Sequence, residues 1–150
     1  MISKIKIILI LILLVGCNYK PALLDDKNDF HFAEVRTEGD LKINKIIKEK
    51  LSEKTTSKSD KKYKIYFFTE KNKEIIASNR KGDPTIYKIN ISLNYEISDD
   101  YNIIIKNQLS KQVTYNNIND KFELQKYEDN ILKNLSTKLS DDIIMSLKTF

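Results

Sequence analysis

The clearest hydrophobic pattern in the chain runs from Thr85 to Ile97. Tyr87, Ile89, Ile91, Leu93, Tyr95 and Ile97 alternate with Lys88, Asn90, Ser92, Asn94 and Glu96. A period of two puts the apolar set on one face of a half-buried strand and the polar set on the other. Ser98-Asp99-Asp100 predicts a turn, and Tyr101 to Tyr115 runs back with Ile103, Ile105, Val113 and Tyr115 in phase. The pair reads as a long antiparallel hairpin. Thirteen residues at about 3.3 Å each span about 43 Å, longer than an ordinary strand. After a loop over Asn116 to Asn119 the period changes. Asp120 with Glu123 three residues on is a helix start. Leu124, Tyr127, Ile131, Leu135, Leu139, Ile143 and Leu147 then recur every three or four residues, almost to Phe150. This is an amphipathic helix, whose opposite face falls to Lys126, Asn130, Lys133, Ser140 and Asp141.

The first half is patterned less regularly. Phe30 to Val35 reads as a short strand that Thr37-Glu38-Gly39-Asp40 breaks, and Thr37 or Asp40 is placed to cap the next element. Ile43, Ile47 and Leu51 recur every four residues, with Ile46 beside them, so Leu41 to Leu51 is predicted helical. Ser52 to Lys62 is polar and reads as a loop. Tyr63 to Thr69 is dense in β-branched and aromatic residues and predicts a strand. Glu74 to Ser78 either continues it or forms a separate edge strand. Asn79 to Pro84 is a loop, broken by Gly82 and Pro84. The economical arrangement is an α+β two-layer sandwich: a mixed sheet of four to five strands with two helices packed on one face. The first strand, first helix and second strand fit a right-handed βαβ unit with those two strands parallel.

The N-terminus has a pattern of another kind. Lys4 and Lys6 precede an apolar run from Ile7 to Val15, and small Gly16 sits directly before Cys17, the single cysteine. The order of charge, apolar run and small residue is that of a secretory signal peptide. A spanning helix needs about 20 apolar residues, more than this run supplies. Leu14-Val15-Gly16-Cys17 resembles a bacterial lipobox, which implies cleavage before Cys17 and acylation of that residue. The chain then divides into a leader over 1–16, a lipidated tether over 17–29 and one α+β domain over 30–150. Several acyl chains on Cys17 anchor a protein to a membrane without a spanning segment. Asn18 stands where an Asp tends to retain lipoproteins of enteric bacteria in the inner membrane. The expected location is therefore the periplasmic side of the outer membrane.

Charge and composition then narrow the function classes. The formal net charge of +5 includes both leader lysines, so the exported chain is only mildly basic and calls for no nucleic acid. With Cys17 acylated no thiol is left for a disulfide or a thiolate metal site. His31 has no second histidine to complete a metal site, and a structural or surface role is expected. No phosphate-cradling glycine loop or nucleophile elbow is present. Asp99-Asp100 and Asp141-Asp142 are adjacent pairs whose side chains point apart, which makes them poor acid–base dyads. The expectation is a protein that is not an enzyme and holds no cofactor beyond the covalent lipid on Cys17.

Three stretches together resemble the LPS-assembly lipoprotein family, LptE. They are Cys17-Asn18-Tyr19-Lys20-Pro21, then Ser78 to Gly82 with Thr85-Ile86-Tyr87 and the alternating strand, then the closing helix with its early acidic pair Glu128-Asp129. Asn18 departs from the family's usual Gly, and Leu124 falls near a position that is Lys in enteric members. The resemblance implies a plug inside an LptD-type β-barrel of the outer membrane, assisting its assembly and the delivery of lipopolysaccharide to the outer leaflet. It also implies that Arg80 contacts lipopolysaccharide, since an arginine offers lipid phosphates a planar fork of donors. Lys81 adds charge beside it, and Lys121 and Lys126 are further candidates. A solvated loop charge is the competing reading of Arg80. The competing function is that of an auxiliary lipoprotein, a binding module of a phospholipid-transport or other envelope system.

Overall fold

The computed structural model describes residues 28–56 and 59–149. The leader, Cys17 and the tether as far as residue 27 lie outside the described residues. Six elements occur in order: β1 (His31–Gly39), α1 (Leu41–Lys54), β2 (Lys62–Ser78), β3 (Pro84–Ser98), β4 (Ile103–Asn116) and α2 (Lys121–Lys148). The strands form one mixed sheet in the order β1-β2-β3-β4, and both helices cover the same face. This is the α+β two-layer sandwich. β1 and β2 are parallel across α1, while β2, β3 and β4 form an antiparallel meander.

The alternating strand supplies the core. Ile89, Ile91, Leu93, Tyr95 and Ile97 are buried, as are Ile65 and Phe67 beside them on β2. Ile43, Ile47 and Leu51 of α1, and Ile131, Leu135, Leu139 and Ile143 of α2, close the core from above. Asp40 caps α1 by accepting from the backbone N–H groups of Lys42 and Ile43, and Asp120 caps α2 by accepting from those of Phe122 and Glu123. One buried polar link ties α1 to the sheet. Thr69 Oγ1 donates to Asn44 Oδ1 at 2.7 Å, and Asn44 Nδ2 donates to the Glu38 carbonyl at 3.0 Å.

Several boundaries differ from the pattern reading. β1 does not stop at Val35. Parallel pairing with β2 carries it through Arg36–Gly39, opposite Tyr66–Thr69. α1 runs one turn beyond Leu51, to Lys54. The two expected pieces of β2 are one strand, because Glu70–Lys73 pair with β3 through their backbone although their side chains show no apolar period. β4 begins at Ile103, and Tyr101 lies in the turn, 91% exposed. There Asp99 Oδ1 accepts from the backbone N–H of Tyr101 at 2.8 Å and of Asn102 at 2.7 Å. Those N–H groups hold its carboxyl below the ordinary carboxylate range.

The largest correction concerns α2. Ser140, expected on its outward face, is fully buried, as is Ser136. α2 packs on α1 as well as on β4 and β3, so its buried stripe also takes in Leu132 and Ile144. Tyr127 sits at the stripe's margin, 44% exposed.

Candidate functional site

The site begins with a tight loop between β2 and β3. Asn79 organises it. Its backbone N–H donates to the Asp83 carbonyl, and its Oδ1 accepts from the backbone N–H of Lys81 at 2.8 Å and of Asp83 at 3.0 Å. Asn79 Nδ2 also donates to Asp83 Oδ2 at 2.9 Å. Gly82 closes the turn at φ +89°, a region that L side chains rarely adopt. Arg80 and Lys81 are therefore carried, both exposed, on a locally braced turn.

A second connection brings the start of α2 to the same end of the sheet. Asn117 donates its backbone N–H to the Thr85 carbonyl and its Nδ2 to the Pro84 carbonyl, both at 2.8 Å. Lys121 opens α2 a few residues later, and Lys126 lies more than one turn further along. Both are exposed. Of the four candidate cations, the fold thus collects Arg80, Lys81 and Lys121 at one pole and sets Lys126 back from it. Among the described residues none of the four has an ion-pair partner. Three acids share the pole, but Asp83 and Asp120 are engaged by Asn79 and by the helix cap, which leaves Glu123.

The lysines just below this pole are neutralised. Lys73 Nζ meets Glu128 Oε1 at 2.6 Å and lies 4.1 Å over the Tyr87 ring. Tyr115 donates its hydroxyl to the same Glu128 oxygen at 2.6 Å. Burial, and then the Glu128 carboxylate, push the Tyr115 hydroxyl well above the ordinary tyrosine range. Asp129 pairs with Lys42 of α1. The acidic pair of the closing helix therefore clamps α2 to the sheet and to α1, and neither carboxylate is offered to a ligand.

Pattern reading missed the apolar part of the pole. Ile75 and Ile76 near the end of β2 are 59% and 50% exposed, and Phe122 in the first turn of α2 is 73% exposed. Tyr87, Tyr115 and Tyr127 form a row with ring centroids 5.7 Å apart. The signal for Phe122 was present, since it falls outside the apolar stripe of α2. Cations beside exposed apolar side chains suit a ligand with both phosphate and hydrocarbon parts.

The opposite pole is where the tether enters. Asn28 donates its backbone N–H and its Nδ2 to the Lys54 carbonyl, at 3.0 and 2.8 Å. His31 begins β1 there and lines a groove of about 930 Å³ with Phe32, Val35, Leu51 and Thr55. Its Nδ1 is buried without a partner among the described residues. No group of three potential metal ligands occurs among the described residues. β3, fifteen residues long, separates the two poles by about 50 Å.

The fold is shared with solved lipoproteins of bacteria. Rare lipoprotein B from Shewanella oneidensis is similar with a TM-score of 0.58 at 8% identity, over 77% of this chain and 94% of that chain. Lipoprotein B from Nitrosomonas europaea gives 0.55 at 13%, over 80% and 85%. A lipoprotein from Caulobacter crescentus gives 0.54 at 16%, over 79% and 88%. At these identities the likeness is one of fold. No protein-family model and no curated protein matches this chain.

Proposed function

We propose that this chain is an outer-membrane lipoprotein of the lipopolysaccharide-transport system. It seats as a plug in an LptD-type β-barrel, assists assembly of that barrel and helps pass lipopolysaccharide to the outer leaflet. The observation that carries the reading is polarity along the long axis. The tether ends at one pole and the unpaired cations stand at the other, about 50 Å away. A bilayer with its headgroups is about 40–45 Å thick. A domain held by acyl chains at the periplasmic leaflet and seated in a barrel lumen would carry Arg80 across to the far headgroups. The face of the sheet away from the helices suits such a lumen. It presents Asn90, Ser92, Asn94, Gln108, Ser110, Gln112 and Thr114 to water. The resemblance at Cys17 to Pro21 and at Ser78 to Tyr87, and the fold shared with bacterial lipoproteins, support the same reading.

Two measurements test it. Affinity purification of the tagged, lipidated chain from native outer membranes should recover a large β-barrel in equal amount. Depletion should lower the assembled barrel and strand lipopolysaccharide inside the envelope. Normal barrel and surface lipopolysaccharide levels would instead favour the auxiliary-lipoprotein role. For the ligand, Arg80→Asp should weaken lipopolysaccharide binding and flatten its salt dependence, because fewer charges remain to be screened. Arg80→Lys should fall between, since the charge survives and the planar fork does not. Equal binding by wild type and Arg80→Asp across a salt series would remove Arg80 from the site and leave the barrel reading standing.

A further inference from the structure

The two edges of the sheet are guarded unequally. β1 forms one edge. It has nine residues and an irregular register between Phe32 and Glu34. Short length and irregularity both discourage the addition of a further strand. β4 forms the other edge, with fourteen residues and an unbroken register from Ile105 to Asn116. It contains no proline, and its two lysines are both neutralised. Lys106 pairs with Glu96 of β3, and Lys111 pairs with Asp142 of α2 at 2.6 Å. Free lysines and proline are the usual protection of an edge, and β4 has neither.

The phase of the free edge is fixed by one hydrogen bond. Asn117 donates its N–H to the Thr85 carbonyl, so the backbone groups of the odd-numbered residues of β4 face β3. Those of Lys106, Gln108, Ser110, Gln112 and Thr114 face outward, where no described strand receives them. The apolar layer is also unfinished there. Ile105, Leu109 and Val113 lie on the helix-covered face and are only partly buried.

We infer that the free protein forms a two-fold dimer by antiparallel pairing of β4 with β4 of a second copy, centred on Leu109. This goes beyond the proposed plug function and does not depend on it. β4 complements itself in that register. Leu109 meets its own equivalent, and Ile105 meets Val113, which completes the apolar face. On the other face Gln108 meets Ser110 and Lys106 meets Gln112. Lys111 meets Asn107, so no like charges stand opposite one another. Shifting the centre by one residue, to Ser110, puts Leu109 opposite Lys111. Shifting it by two, to Lys111, puts that lysine opposite itself. In the Leu109 register the outward groups from Lys106 to Gln112 exchange about eight backbone hydrogen bonds.

Cysteine cross-linking of the lipidated chain, purified in mild detergent free of other proteins, tests this. Cys17 is acylated in that material and does not compete. At the two-fold centre the Cα atoms are about 4.5 Å apart, within disulfide reach. Leu109→Cys should therefore oxidise to a covalent dimer. A mixture of Gln108→Cys and Ser110→Cys chains should form the mixed disulfide, and these exposed positions keep the test valid if Leu109→Cys folds poorly. Gln112→Cys alone lies about 20 Å from its equivalent and should stay monomeric. Ser110→Pro removes an outward N–H and the exposed hydrogen bond from Ser110 Oγ to Asn90 Oδ1, and no bond of the ladder to β3. It should therefore abolish the dimer while the far-ultraviolet spectrum stays close to wild type and melting falls only slightly. Failure of both Leu109→Cys and the mixture to cross-link would overturn the inference. So would a dimer mass that survives Ser110→Pro.

Discussion

Two glycines adopt positive φ and differ in what a side chain would meet. At Gly39, with φ +94°, an added Cβ would lie 1.9 Å from the Thr69 carbonyl oxygen, where β1 ends and Asp40 begins the cap of α1. At Gly82 an added Cβ meets nothing within 4 Å. Gly82→Ala should cost only the backbone strain of about 1–2 kcal/mol. Gly39→Ala adds a collision with fixed backbone and should cost about 3 kcal/mol or more. Urea unfolding of the two variants measures the difference. Tyr115 gives a pH prediction at the same scale. Its folded pKa is raised, so above the ordinary tyrosine range the unfolded chain gives up a proton that the folded chain keeps. The folded state then binds more protons, and stability falls as pH rises through that range. Tyr115→Phe should flatten this alkaline slope, as measured by unfolding free energy across a pH series. Tyr115 was legible as an apolar position in a strand. Its bond to Glu128 was not, because the two meet across elements.

Among elements, α2 shows how far periodicity reaches. Ile131, Leu135, Leu139 and Ile143 follow from spacing alone and are buried. Leu139 is fully buried, so Leu139→Ala should cost about 2–5 kcal/mol by chemical denaturation. Met145, 61% exposed on the same helix, should tolerate Ala within about 0.5 kcal/mol. The buried Ser136 and Ser140 were not legible, because a small hydroxyl residue looks the same in sequence whether it faces water or lets another helix approach. β2 failed in the opposite direction. Its Glu70–Lys73 stretch has no apolar period because neither of its faces is deeply covered, yet the backbone ladder to β3 holds it in one strand.

For the whole molecule, the consequential feature is that the described chain enters at Asn28, at the pole opposite the loop that carries Arg80 and Lys81. Mass spectrometry of the membrane-bound protein should find an acylated Cys17 with no residue before it. Cys17→Ser should release the protein from the membrane and leave its melting temperature close to wild type. An intact leader on the membrane-bound form would overturn the lipoprotein reading. Among the described residues no helix is long and apolar enough to cross a bilayer.

Local sequence specifies the alternating core strand, the hairpin, the Asp120 cap of α2, most of the apolar stripe of each helix and the two-layer class, and it narrows the cap of α1 to Thr37 or Asp40. Each of these rests on local periodicity or on a side chain reaching its own backbone two or three residues away. It also places Arg80 and Lys81 in a loop, since Gly82 and Pro84 break regular structure there. Long-range packing settles everything that depends on distant partners. It joins the two halves of β2, extends β1 along β2 and buries Ser140. It turns Glu128 and Asp129 into a clamp, and it brings Lys121 and Phe122 to the pole that carries Arg80. Pairing and packing energies come from residues far apart in the chain, and no local period records them.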